Sequence, residues 1–380
     1  VRVAIVTETF LPRLDGIVRM LVEYLTYLER HGHEAIVFAA GEGNRACRGY
    51  PVLRVPGVAF PPYPQLIVAP YSRRMEPILR RWRPDIMHLA GPFILGAQGV
   101  AVARRLGVPA ASHYQTDLAR YAQHFRMGAL SGLTWARLRA IHNACAVTLA
   151  PTPSVAQELR GHGFQRVGVC GRGVDGVLFD PRKRDEAFRA EITGGRDVPI
   201  LTYVGRISVE KNLGLLARVA RELPSCPLLI VGEGPAQASL RAEMSGLDVH
   251  FTGRLSDDAL ARAYASSDAF LFPSTTETFG QVVREAMVSG LPVVGLRAGG
   301  VQDLVRDGQT GFLCSPTDPR AFVEAARRLA GDASLRLAMG AEARREAEAY
   351  TWEAVFDGMM GSYGGLIAGR GAGEAARMGA

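Results

Sequence analysis

Short apolar runs alternate with helix-length amphipathic stretches along this chain, and the alternation restricts its fold more than any other feature. Val3–Val6, Glu34–Phe38, Ile86–Leu89, Pro109–Tyr114 and Ala146–Leu149 read as strands. Runs that are apolar at successive positions are buried on both faces, which is the habit of parallel strands. Between them, Ile17, Leu21, Leu25 and Leu28 mark one face of a helix ending near His31, and a second helix is expected over about 94–106. The pattern breaks over 171–200, where turn residues gather, as in a linker. It restarts with Ile200–Val204, Leu228–Val231, Val249–Phe251, Ala269–Phe272 and Pro292–Val294 as strands. Two helices follow, roughly 319–330 and 333–349, and a last segment begins at Tyr350. The Gly- and Ala-rich residues from about 364 read as a loosely held tail. The expectation is an α/β protein with two Rossmann-like domains, 1–180 and 181–350, facing each other across a cleft, plus a C-terminal segment 351–380.

Composition removes several classes of function. No apolar run approaches the roughly 18 residues that span a bilayer, and Val1–Val6 is too short for a signal-peptide core, so a cytoplasmic location is expected. Cys47, Cys145, Cys170, Cys226 and Cys314 are scattered without C-x-x-C spacing, which suggests neither disulfides nor zinc. Residues 1–180 carry 21 Arg against 12 acidic groups, whereas 181–380 carry 23 basic against 25 acidic. A basic first half suits an anionic partner. Nucleic acid is not expected, because the arginines are not interleaved with aromatics. No G-x-G-x-x-G follows the first strand, and Gly232-Glu-Gly234 is only a partial match, so a dinucleotide oxidoreductase is disfavoured.

Phe272-Pro-Ser-Thr-Thr-Glu-Thr-Phe-Gly-Gln-Val-Val-Arg-Glu285 is the stretch richest in chemistry. Ser274, Thr275 and Thr276 offer helix caps, and Val282, Val283, Ala286 and Met287 an apolar helical face. Glu277 and Glu285 bracket the expected helix start, about 12 Å apart at helical rise. Two carboxylates so placed could each accept hydrogen bonds from adjacent hydroxyls, although an acidic first turn with one solvated Glu is the plainer reading. Gly205-Arg206-x4-Lys211 follows the first strand of the second half. Arg206 and Lys211 could neutralise a diphosphate there. Lys183 and Lys211 are the chain's two lysines among 44 basic residues, which points to a need for an ammonium at Lys211.

The Glu277-x7-Glu285 element with Phe279-Gly280 inside it, and Gly205-Arg206-x4-Lys211 ahead of it, resemble the paired motifs of the family 4 retaining glycosyltransferases. The likeness extends over roughly 1–365. Thr7–Pro12, Gly49–Arg54, Arg83–His88 and Tyr114–Asp117 are similar to bacterial GDP-mannose-dependent α-mannosyltransferases and sulfolipid-type synthases. The resemblance implies a GT-B architecture, with a nucleotide-sugar donor bound mainly by the second domain and a lipid or small glycoside acceptor on the first. A last helix would cross back to the first domain. Glu277 would hold the sugar hydroxyls, Thr278 and the backbone of Phe279-Gly280 the sugar and phosphate, Arg206 and Lys211 the leaving phosphate beside Gly205, and Glu285 the ribose. Gly253-Arg254-Leu255 and the turn at Gly234 would lie beside the base.

In the first half, Gly16 could let backbone approach the donor, with Asp15 as a helix cap. His113 is a candidate for the sugar, with Gln115 pointing the same way along the strand and Asp117 beyond it on the acceptor side. No Asp-x-Asp pair occurs, and with two cations available no metal or other cofactor is expected. The Gly57–Pro64 loop, with Arg73-Arg74 and Arg80-Arg81-x-Arg83 beyond it, could rest on an anionic membrane or serve simply as an acceptor-side loop. Other readings are a UDP-hexose-dependent transferase, a hydrolase or phosphorylase on the same fold, and a non-catalytic nucleotide-sugar sensor.

Overall fold

A computed structural model describes residues 1–13, 15–60, 63–69, 71–115 and 131–378. Asp117 and part of the Pro-rich loop at 61–62 lie outside them. The chain divides into two compact units, one of Val1–Arg172 with the segment from Trp352 onward, the other of Gly173–Thr351. The division falls after Arg172 because the turn residues that follow belong to the second unit, where the Val174 N–H donates to the Tyr350 carbonyl (2.9 Å).

Among the described residues, the first unit holds ten strands: β1 (Arg2–Thr7), β2 (Glu34–Ala40), β3 (Ala46–Cys47), β4 (Tyr50–Val55), β5 (Val58–Phe60), β6 (Tyr63–Val68), β7 (Ile86–Ala90), β8 (Ala110–His113), β9 (Val147–Ala150) and β10 (Val167–Val169). Eight form one sheet in the order β10-β9-β8-β7-β1-β2-β4-β3, parallel throughout except for β3 against β4. The hairpin β5–β6 stands apart as a two-stranded sheet. Alternation along the strands builds a core on each face. Val3, Ile5, Val37 and Ala39 pack with helix Gly16–Arg30, whereas Ala4, Val6, Ile36 and Phe38 pack beside helix Leu95–Leu106.

The residues from 364, expected to be loose, are instead helical: one helix runs Trp352–Met378. Phe356, Met359 and Tyr363 are fully buried in the first unit's core, with Leu366 and Ile367 partly buried behind them. The Tyr27 hydroxyl donates to Asp357 (2.7 Å), and the Tyr363 hydroxyl meets Nδ1 of His88 (2.6 Å).

The second unit holds β11 (Leu201–Val204), β12 (Leu228–Val231), β13 (Val249–Gly253), β14 (Ala269–Phe272), β15 (Val293–Leu296) and β16 (Gly311–Cys314). All its pairings are parallel, in the order β13-β12-β11-β14-β15-β16. This is the dinucleotide-fold order, and the direction of winding reverses between β11 and β14. β16 is not among the strands expected from the sequence. Gly311 begins it because a Cβ there would sit 2.0 Å from the Val293 carbonyl oxygen.

Burial drives the ring of His88 down to about 4 and that of His142 to about 3, from an ordinary 6.5. Both are neutral when folded and take up protons on unfolding, so their contribution to stability is complete above about 6.5 and is lost as pH falls through the folded values. The melting temperature is expected to be flat above that pH and to decline below it, a titration that His88→Gln should partly flatten. Tyr363→Phe should cost roughly 1–2 kcal/mol by leaving buried Nδ1 without its partner, as read by denaturant unfolding.

Candidate active site

At a reversal of winding the connections after two neighbouring parallel strands go to opposite faces, which opens a crevice at their carboxyl ends. In the second unit those strands are β11 and β14, and the loops after them carry Lys211 and Glu277. The Lys211 ammonium contacts the Glu277 carboxylate, and both side chains are mostly buried (12% and 24% exposed). The two sequence motifs thus meet, through Lys211 and Glu277, at the reversal of winding, where sheets of this kind bind ligands.

Backbone-to-backbone packing fixes the loops around this pair. After β11, the Gly205 N–H donates to the Val231 carbonyl (3.0 Å) and the Ile207 N–H to the Glu233 carbonyl (2.9 Å). The Gly232 N–H in turn donates to the Gly253 carbonyl (2.8 Å). A Cβ at Gly232 would lie 2.0 Å from the Gly205 carbonyl oxygen, and one at Gly234 would lie 2.1 Å from that of Ile207. Gly234 is therefore required by loop packing, whatever else it contacts. Arg206 is half-buried, and its carbonyl accepts from the Tyr203 hydroxyl (3.1 Å). Arg254 is exposed and Leu255 half-buried beyond β13.

The turn bearing Glu277, Thr278 and Phe279 differs from its sequence reading. Ser274–Thr276 do not cap the following helix, which spans Gln281–Val288 and starts from Gly280 in the left-handed region (φ 91°) with no side-chain cap. The Gly280 carbonyl accepts from Val283 and Arg284 instead. Helical rise from Glu277 to Glu285 consequently does not apply, since Glu277 stands in the turn. Glu285 is buried, and its Oε2 accepts from the Tyr264 hydroxyl (3.3 Å). Phe279 is buried as well.

In the first unit, winding reverses between β1 and β7. Its crevice is occupied by the chain's own carboxylate. Oε1 of buried Glu8 accepts from the Phe93, Ile94 and Gly96 N–H groups (3.0, 2.7 and 3.0 Å) at the start of helix Leu95–Leu106. Burial raises its pKa while those N–H groups pull it down. Asp15 caps helix Gly16–Arg30, its Oδ1 accepting from Ile17 and Val18 (3.0 Å each).

Gly16 lies close to Arg172, whose Nη1 donates to the Gly16 carbonyl (3.3 Å) and whose Nη2 donates to Oε1 of Gln115 (3.4 Å). Gln115 and Arg172 are both buried. Arg172 was missed in the sequence because it stands in Gly171-Arg-Gly173, which reads as linker. An Arg between two glycines directly after a strand was the available signal. His113 is fully buried, its ring edge-on to His88 at 6.0 Å. Burial first, then the fields of His88 and Arg172, hold it well below its ordinary value, against a weaker opposing influence of the Cys170 backbone. Neither ring nitrogen makes a hydrogen bond of normal geometry among the described residues.

Residues 14–176 match the sequence profile of Glycosyltransferase Family 4, and 198–332 that of Glycosyl transferases group 1. A GDP-mannose-dependent alpha-mannosyltransferase of Corynebacterium glutamicum is 37% identical over 372 residues, 97% of this chain and 89% of that protein. Its counterpart in Mycolicibacterium smegmatis is 39% identical over 374 residues, 96% and 98% of the two chains. The Arabidopsis thaliana sulfoquinovosyl transferase is 35% identical over 352 residues, 90% and 69%. The chain belongs to glycosyltransferase family 4. Among solved structures, Anabaena HepE in complex with UDP (TM-score 0.79, 18% identity, 96% of this chain and 100% of that one) shares the fold. So does the sucrose-phosphate synthase of Thermosynechococcus elongatus (TM-score 0.79, 20% identity, 97% and 99%). The architecture is GT-B, and the protein is a glycosyltransferase.

The two lysines separate the pair at the crevice from an ordinary surface cation, since Lys183 meets only exposed Asp258 (2.6 Å). Lys211→Ala is expected to lower turnover by roughly 10²–10³-fold, as for loss of one group stabilising developing charge. Lys183→Ala should change it by less than about twofold. Initial rates with saturating sugar donor give the comparison.

Proposed function

We propose that this chain transfers mannose from GDP-mannose to a hydroxyl of a lipid or small glycoside acceptor with retention of the α configuration. The observation that carries this reading is the meeting of Lys211 with Glu277 at the reversal of winding between β11 and β14. The donor and sugar are argued from relatives named GDP-mannose-dependent alpha-mannosyltransferases, and a lipid acceptor is suggested by the sulfoquinovosyl transferase.

In this mechanism Arg206 and Lys211 neutralise the diphosphate as the glycosidic bond to it breaks. The acceptor oxygen bonds to the anomeric carbon on the face that the phosphate leaves, and the departing phosphate oxygen takes the acceptor's proton. Lys211 is already held in place by Glu277, so the donor meets an ammonium in position rather than one recruited from solvent. Glu277 then accepts hydrogen bonds from sugar hydroxyls. Thr278 and the Phe279-Gly280 backbone line the sugar and phosphate, Glu285 takes the ribose, and Gly205, Gly234, Arg254 and Leu255 border the nucleotide. In the first unit, Gln115 with Arg172 behind it and His113 are buried, and His113, held well below its ordinary value by that burial, offers hydrogen bonds rather than a charge. Two cations meet the electrostatic need of the leaving group, and the proposed mechanism uses no metal.

Membrane contact is a separate part of the proposal. Arg73, Arg74, Arg80, Arg81 and Arg83 are exposed on and around helix Met75–Trp82, and Val58 and Tyr71 are exposed apolar groups of the same unit. That combination suits the face of an anionic bilayer. Among the described residues, no helix is long and apolar enough to cross a membrane.

In the presence of EDTA, GDP and GDP-mannose are expected to raise the melting temperature by a few degrees at about 100-fold excess over Kd, whereas UDP should not. Stabilisation by the UDP series alone would turn the assignment to a UDP-hexose donor. Release of free sugar at full rate without acceptor would make the protein a hydrolase.

A further inference from the structure

The signature helix contains a buried cation that this mechanism does not use. Arg284 is 5% exposed, forms no ion pair among the described residues, and its Nε has no hydrogen-bond partner among them. Glu346, the nearby acidic group that influences it, lies 3.3 Å from Arg306, and its Oε2 makes no hydrogen bond among the described residues. A guanidinium buried without a carboxylate is costly, and an apolar side chain of similar volume in its place is commonly neutral or stabilising. What Arg284 does contact are two aromatic side chains, one of which, Tyr350, also hydrogen-bonds it. Its guanidinium carbon lies 3.9 Å from the ring centre of Tyr350 and 5.5 Å from that of Phe279.

Each ring belongs to a segment that matters. Phe279 is in the turn that carries Glu277, immediately before left-handed Gly280. Elsewhere along the same turn, Gly300 N–H donates to the Glu277 carbonyl (2.8 Å), and Gly299 and Gly300 leave no room for a Cβ against Glu277 and Thr278. Tyr350 lies at the end of this unit, and its carbonyl accepts from Val174. One helical turn back from Arg284, Gln281 Nε2 donates to the Gly173 carbonyl (3.0 Å). The signature helix therefore grips both the segment by which the chain enters this unit and the one by which it leaves.

We propose that Arg284 is a positioning residue for the donor, setting the turn 277–280 through Phe279 and referring it to the chain exit at Tyr350. The inference rests on the reading of that turn as the donor site. Arg284→Met, which keeps the packing and removes the cation, is expected to melt within a few degrees of wild type. Its donor KM and its Kd for GDP should rise roughly tenfold, as when a contacting group is misplaced by a fraction of an ångström. The KM for acceptor should stay unchanged. Arg284→Lys should recover part of the loss, and Tyr350→Leu should reproduce part of it.

A folded Arg284→Met variant with wild-type donor KM overturns the proposal. So does one in which melting temperature and kcat fall while donor KM holds. If the Met variant does not fold, Tyr350→Leu carries the test, and an unchanged donor KM there is equally decisive. Failure of the wild type to bind GDP, UDP or their sugars would instead remove the donor-site reading itself.

Discussion

Adjacent parallel strands whose connections diverge to opposite faces leave a gap that the fold cannot fill with its own helices, and the second unit depends on what occupies that gap. Lys211 and Glu277 occupy it. A lone ammonium or carboxylate, mostly buried at such a point, would be strongly penalised, whereas the pair satisfies both. The same pairing prepares the crevice for an anionic ligand with hydroxyls beside the anion. In the proposed reaction, the phosphate competes for the ammonium while sugar hydroxyls take over the carboxylate. The neighbouring loops are locked by close backbone contacts at Gly232, Gly234, Gly299 and Gly300, so the pair stands in a rigid frame. Little reorganisation then remains when charge moves onto the leaving group.

The first unit has the same winding and a different answer. Its reversal point between β1 and β7 also presents the start of a helix, but Glu8 has already filled it with a carboxylate that accepts three backbone N–H groups. A phosphate offered there would find those N–H groups already taken. The asymmetry gives a physical reason for placing the donor on the second unit that is independent of any relative. It also leaves the first unit free to vary its loops for an acceptor. Its polar interior at the strand ends, with Gln115, Arg172 and the neutral rings of His88 and His113, is closed off from solvent in the structure.

The buried strands were legible because each is a short apolar run with nothing else to be. The carboxyl-edge motifs were legible because their spacing is local. What failed was what long-range contact decides. The Gly- and Ala-rich end from about 364 carries no helix signal of its own, yet helix continues into it from Phe356, Met359 and Tyr363, which bury themselves against helix Gly16–Arg30 and the sheet. β16 opens on a glycine, usually a breaker, where only the approach of the Val293 backbone shows why glycine is needed. Ser274–Thr276 looked like caps because their chemistry suits the role, but Gly280 sets the helix start by taking a conformation that disfavours side chains. Arg172 was hidden by its two glycines.

Scarcity of lysine was a useful signal only in part. Of the two, Lys183 sits on a surface carboxylate where an arginine would serve as well. Its retention has no structural explanation. Lys211 is different in kind, because it is nearly enclosed and contacts the Glu277 carboxylate at the reversal of winding. A guanidinium there would be broader and planar, and would commit its fork to Glu277. An ammonium can hold the carboxylate with one proton and still turn its remaining donors towards a phosphate. Under the proposed function, the residue type follows from sharing one cation between a permanent partner and a visiting one.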